Sequence, residues 1–275
     1  MDAQEIVQTK EQILRQVTEF LLSRTEVIGL FCGGSIAEGT TDEYSDIDFR
    51  VVVRSECFDD FVKDHMSYPR HWGDFICNNG GRNVSVSHFK PFNKVDVLYY
   101  RPEDLKPSPW SGLPIKVLYD PDAIIERLIQ SSGNLTFAPT PEQVGDSISV
   151  AIGNAHEVYR RAQRGELAYA QAILNCLRSS IVDADDALGG RPVQGEFGFS
   201  HLERRCSPQV LHALYASYVG ADRPSILDAL ANLARIYTRQ LKALYRAYDL
   251  RRNLENDLYA LSIVAQQEPL PLHEE

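Results

Sequence analysis

Apolar positions along this chain repeat with two different periods, and the change from one to the other divides it. Between residues 4 and 23, Ile6, Ile13, Leu14, Val17, Phe20 and Leu21 fall at helical spacing, which predicts an amphipathic helix with one apolar stripe for a sheet to cover. Residues 27–32 form a continuous apolar run that stops at two glycines, as a buried strand does on entering a tight loop. Strands are also predicted at 46–53, which ends Val51-Val52-Val53, at 84–89, at 94–100 and at 116–119. A short helix is predicted at 56–66, a loop at Gly80-Gly81, and helical spacing resumes at 123–130 after Asp120-Pro121-Asp122.

Ser131-Ser132-Gly133-Asn134, with Pro139 and Pro141 beyond it, reads as a linker. From about residue 142 to 265 the period is helical almost throughout, in Ala-, Leu- and Arg-rich segments broken at Gly189 to Pro192 and at Gly220 to Pro224. That pattern predicts a bundle of four or five helices. The expected fold class is α+β: a mixed sheet with flanking helices over residues 1–135, then an all-α domain over 140–266. The segment after Gln266 is expected to fray.

Composition narrows the class of partner. The 275 residues hold 28 Lys and Arg against 38 Asp and Glu, a net charge of −10, and residues 1–135 carry 21 of the acids against 14 of the bases. A protein gripping a long polyanion needs a cationic footprint to displace counterions, and this sequence has none, so nucleic acid is excluded as the main substrate. Cys32, Cys57, Cys77, Cys176 and Cys206 are scattered with no C-x-x-C pair, which reads as reduced thiols. The opening residues lack a signal peptide's basic and apolar stretches, and no run is long enough to span a bilayer, so a cytoplasmic protein with no membrane partner is expected.

The chemistry is concentrated in residues 31–49, Phe-Cys-Gly-Gly-Ser-Ile-Ala-Glu-Gly-Thr-Thr-Asp-Glu-Tyr-Ser-Asp-Ile-Asp-Phe. Gly33 and Gly34 at a strand end allow close backbone approach to phosphate, and Ser35 adds a hydroxyl beside unpaired backbone N–H groups. Asp46 and Asp48 are two apart on a predicted strand, so their carboxylates share a face with Cα atoms roughly 6–7 Å apart. Hard oxygen ligands in that arrangement suit Mg²⁺, which binds through one or two carboxylates plus substrate phosphates. Asp96, flanked by apolar residues on another predicted strand, could complete the cluster as a metal ligand or as a proton acceptor.

On these residues the sequence resembles the polymerase-β-like nucleotidyltransferase superfamily, whose pattern is a Gly-Gly/Ser loop, Asp-x-Asp about ten residues on, and a later Asp on another strand. The run Asp42 to Asp48 with a helical second half is similar to the antibiotic nucleotidyltransferases acting on aminoglycosides or lincosamides. The resemblance implies transfer of AMP from ATP, with Mg²⁺, to a hydroxyl of a small molecule, by a monomer or homodimer whose active site lies in a cleft between the two domains. It implies that Asp46, Asp48 and Asp96 are catalytic and metal-binding, and that Gly33, Gly34 and Ser35 hold the β- and γ-phosphates. Many relatives carry Arg where this chain has Glu38, which makes Lys94, adjoining Asp96, the expected substitute on the phosphates. The alternative from a different class is a regulatory or antitoxin protein that modifies or binds a partner protein; the long helical half argues against it.

In that half, Asp183, Asp185 and Asp186, and likewise Arg160, Arg161 and Arg164, read as solvated helix faces. Arg205 and His212 stand at the spacing of a ribonuclease pair, but Pro208 interrupts the helix such a pair needs.

Overall fold

In the computed structural model, which describes residues 2–193 and 198–265, the chain divides into two compact units, Met1–Leu135 and Thr136–Glu275. The segment expected to fray after Gln266 lies outside the described residues.

The first unit opens with α1 (Ala3–Leu22), started by the Asp2 carboxylate accepting from the Gln4 N–H. Its buried stripe, Ile6, Ile13, Val17 and Leu21, is the one the periodicity marks. A six-stranded sheet follows, built from β1 (Val27–Cys32), β2 (Ile47–Val53), β3 (Phe75–Gly81), β4 (Val84–Phe89), β5 (Asn93–Tyr100) and β6 (Lys116–Tyr119), in the spatial order β3-β4-β5-β2-β1-β6. Only β2 and β5 run parallel among these pairs. Between strands lie α2 (Gly34–Glu38), α3 (Phe58–Lys63) and, after β6, α4 (Ile124–Ser132).

Alternation along β2 sorts its side chains onto two faces. Ile47, Phe49, Val51 and Val53 join α1, Phe58, Phe61 and Trp72 in the larger core. The opposite face is apolar only at one end, where Val52, Ile28 and Phe31 pack with Ile125 of α4. Its other end carries Asp48 and Arg50, which are half-buried.

Gly80 and Gly81 are not the expected loop. They close β3 and pair with Ser85 and Val84 across a turn at Arg82-Asn83. The apolar period missed this strand because it is a largely exposed edge with Asn and Gly at its end, so little core contact writes itself into its sequence.

The second unit contains, among its described residues, α5 (Pro141–Gln163), α6 (Leu167–Leu188), α7 (Leu202–Arg205), α8 (Pro208–Ala216), α9 (Arg223–Ala247) and α10 (Leu254–Ala265). Pro141 takes the first turn of α5 behind a reciprocal cap between Thr140 and Gln143, so the proline that reads as a linker residue also starts a helix. Ile148, Leu174, Leu177, Leu230 and Tyr237 lie at the centre of one core.

Two expectations meet different ends here. The acidic run on α6 is not a solvated face: Asp186 is fully buried and ion-paired to both Arg191 and Arg205, while Asp185 pairs with Arg191 and accepts from the Ser207 hydroxyl at 2.7 Å. Pro208 does separate Arg205 in α7 from His212 in α8. No described helix is long and apolar enough to cross a membrane, and none of the five cysteines is in a disulfide.

Candidate active site

Strand register brings the three aspartates together. Asp48 on β2 lies directly across from Asp96 on β5, the pairing being parallel and in register from Ile47/Val95 onward. Asp46 sits one residue before β2 and completes the group, with one carboxylate oxygen from each residue within 4.8 Å of the others.

Asp46 is fixed by local chemistry upstream. The Asp42 carboxylate accepts from the Tyr44 N–H at 3.1 Å and the Ser45 hydroxyl at 2.7 Å, an Asx-type turn that aims the chain into β2. The hydrogen bond from Ser45, first, holds the Asp42 carboxyl below its ordinary range. Lys10, buried on α1, donates its ammonium to the Asp42 carbonyl and ties this loop to the helix. Burial lowers the Lys10 pKa against the attraction of Asp42 and Asp46.

The glycine loop approaches from the other side. The Gly33 N–H donates to the Asp48 carbonyl at 3.1 Å, and Gly34 adopts a φ of +58°. A Cβ on Gly34 would stand 2.7 Å from Asp48 Oδ2, so the close approach of loop to carboxylate requires glycine on both counts. Ser35 is the second residue of the short helix α2, which Gly39 ends in the left-handed region.

Two cations border the carboxylates. Lys94 reaches Asp46 Oδ2 at 2.7 Å and Asp96 Oδ2 at 3.2 Å, so it lies on the carboxylates rather than at Gly34 and Ser35. Burial works against its charge, yet the hydrogen bond it donates to Asp46 and the nearby Asp96 charge raise its pKa. Arg50, two residues beyond Asp48 on the same face, comes within 3.7 Å of Asp48 Oδ1. The pKa values of Asp48 and Asp96 are both raised, by burial first; Asp46 adds repulsion at each, opposed by Arg50 at Asp48 and more strongly by Lys94 at Asp96.

This donor set fits a divalent cation. Three carboxylates within 4.8 Å of one another gain from a shared positive charge, and Asp96 Oδ1 is buried with no hydrogen-bond partner. Hard oxygen donors match Mg²⁺.

Residues 14–72 match the family model for a nucleotidyltransferase domain. That match lies within the first unit and supports the enzyme class that transfers nucleotidyl groups. The matched stretch contains Gly33 to Ser35 and Asp46 to Asp48 but ends before Lys94 and Asp96. No curated protein matches the chain. Among solved structures, an aminoglycoside 6-adenyltransferase from Bacillus subtilis aligns at 12% identity over 94% of this chain and 96% of its own, with a TM-score of 0.46. A nucleotidyltransferase-like protein from Exiguobacterium sibiricum aligns at 12% identity over 94% and 87%, TM-score 0.43. A cyclic dinucleotide synthase from Elizabethkingia meningoseptica aligns at 14% identity over 95% and 97%, TM-score 0.29.

Sequence reasoning missed Arg50 and Lys10. The signal for Arg50 was present: a lone charge two residues after Asp48, ahead of three valines, must share the aspartate's face.

Proposed function

We propose that this protein transfers AMP from ATP to a hydroxyl of a small molecule, with Mg²⁺ held by Asp46, Asp48 and Asp96. The observation that carries the proposal is the in-register pairing of Asp48 with Asp96, beside a glycine loop that only glycine at position 34 allows. When bound, the metal would supply Lewis-acid stabilisation of charge on the phosphates.

In this reading the loop at Gly33 and Gly34, where Gly34 is exposed, and the Ser35 hydroxyl receive the β- and γ-phosphates. Lys94 is held by Asp46 and Asp96 until cation or nucleotide arrives, and then reaches phosphate. Asp96, directly across from Asp48 on the neighbouring strand, accepts the proton of the acceptor hydroxyl. The hydroxyl oxygen attacks the α-phosphorus in line, the bond from the α-phosphorus to the bridging oxygen breaks, and pyrophosphate leaves.

The acceptor we propose is a hydroxylated antibiotic of the aminoglycoside or lincosamide type, supported by the Asp42 to Asp48 motif and by the acidic balance of residues 1–135, which suits a cationic substrate. Incubation of the protein with ATP, Mg²⁺ and a panel of such antibiotics should yield pyrophosphate with at least one of them. Full Mg²⁺-dependent pyrophosphate release by Asp46→Asn and Asp48→Asn would overturn the assignment.

A further inference from the structure

A pocket of about 580 Å³ opens in the first unit beside the carboxylates. Gly33, Gly34, Asp48 and Arg50 line one end, and the segment from Asp104 to Ile115, with Trp110, lines the other. The pocket lies on the Asp48 side of the metal-ligand cluster, whereas Lys94 borders the cluster at Asp46 and Asp96. Arg50 thus stands by Asp48 and Lys94 by Asp46 and Asp96, while Lys106 also lines the pocket.

Arg50 is poorly satisfied by protein. Its Nη1 donates to its neighbour's carbonyl, on Phe49, at 3.0 Å. Its approach to Asp48, at 3.7 Å, is too long for a hydrogen bond. Among the described residues no other acceptor takes a guanidinium N–H of Arg50, so most of a planar, forked donor set is left without a protein acceptor in a residue that lines the pocket. Glu38 lines the same pocket, and its charge would repel a triphosphate unless a cation offset it.

We propose that Arg50 grips the outgoing pyrophosphate portion of the triphosphate from the pocket side, making it a substrate-positioning residue in addition to the loop and the three aspartates. This rests on the nucleotidyl-transfer reading of the same site. A guanidinium presents two parallel N–H groups to phosphate oxygens, which an ammonium cannot do. With divalent metal held by Asp46, Asp48 and Asp96, Asp48 would no longer balance the Arg50 charge, and phosphate would do so instead.

Binding of inorganic tripolyphosphate tests this without acceptor, base or turnover. By calorimetry at fixed Mg²⁺, Arg50→Gln is expected to bind tripolyphosphate at least tenfold more weakly than the unaltered protein, and Arg50→Lys to fall between them. Arg82→Gln, which removes an arginine on the β3–β4 turn paired with Asp59, should match the unaltered protein. Mn²⁺ binding without phosphate, read by electron paramagnetic resonance, should not weaken in Arg50→Gln. Tripolyphosphate affinity within twofold of the unaltered protein, equal loss of Mn²⁺ binding, or no tripolyphosphate binding by the unaltered protein would each overturn the proposal. If Arg50→Gln fails to fold, Arg50→Lys decides alone, with unchanged affinity as the refuting result. Because no nucleotide is consumed, failure of the AMP-transfer reading would leave this result interpretable.

Discussion

Gly34→Ala makes a narrow demand on the structure, because two separate penalties converge on one methyl group. The backbone there sits at φ +58°, where an alanine costs about 1–2 kcal/mol relative to glycine. That alone predicts a fall in melting temperature of roughly 3–8 °C for a unit of this size. The second penalty is local: the new Cβ would lie 2.7 Å from Asp48 Oδ2, so the carboxylate must turn away. Turning it displaces the oxygens that Asp48 offers beside those of Asp46 and Asp96. Metal affinity should therefore fall about 10- to 100-fold, as expected when a ligand is misoriented. Gly33→Ala is the matched control, since its backbone is extended at φ −107° and an added Cβ meets nothing within 4 Å. Thermal melts give the first penalty and Mn²⁺ titration the second. Gly34→Ala with unaltered Mn²⁺ affinity, or Gly33→Ala with an equal loss, would refute the claim that the loop sets the position of Asp48.

Other expectations follow from the same geometry. The raised carboxyls of Asp48 and Asp96 put their folded pKa values above the unfolded ones, so the metal-free fold takes up protons as pH falls through that window and gains stability there, while protons displace metal. The gain in melting temperature on adding saturating Mg²⁺ should be larger at pH 7.5 than at pH 5, and a pH-independent gain would contradict this. Asp48→Asn should lose that gain, about 2.7 kcal/mol when metal is a hundredfold above its dissociation constant, without lowering the metal-free melting temperature. In the helical unit, Asp186→Ala leaves Arg191 and Arg205 without their buried partner and should cost about 3 kcal/mol or more, seen as loss of cooperative unfolding by circular dichroism. Burial pushes the Cys32 thiol up to about 12, so iodoacetamide at pH 8 should label exposed Cys77 and Cys176 and spare Cys32, as mass spectrometry of the labelled peptides would show.

The legible part of this protein was its local chemistry. Gly33-Gly34-Ser35 and Asp46-Ile47-Asp48 lie within one stretch of 16 residues, where spacing alone fixes which face each side chain takes. Asp96 was visible as a polar residue inside an apolar strand, but its pairing with Asp48 depends on the parallel register of β2 and β5, which no local pattern encodes. Lys94 was visible as a neighbour of Asp96; its contact with Asp46 required knowing that the two strands are neighbours. The helical half shows the same limit. Its periodicity announced helices, yet Asp185 and Asp186 looked like solvated charges because their partners Arg191 and Arg205 stand beyond the helix end. Edge strand β3, with no core to shape its sequence, left the least trace.

The central claim is that the group transferred is the α-phosphoryl with its nucleoside. Parallel reactions with ATP labelled at the α- or the γ-phosphorus, each with Mg²⁺ and a panel of hydroxylated antibiotics, test it most directly. The α-label should appear in the modified acceptor while the γ-label leaves as pyrophosphate, with both signals absent in Asp46→Asn. Transfer of the γ-label to the acceptor, or its release as orthophosphate, would contradict the account.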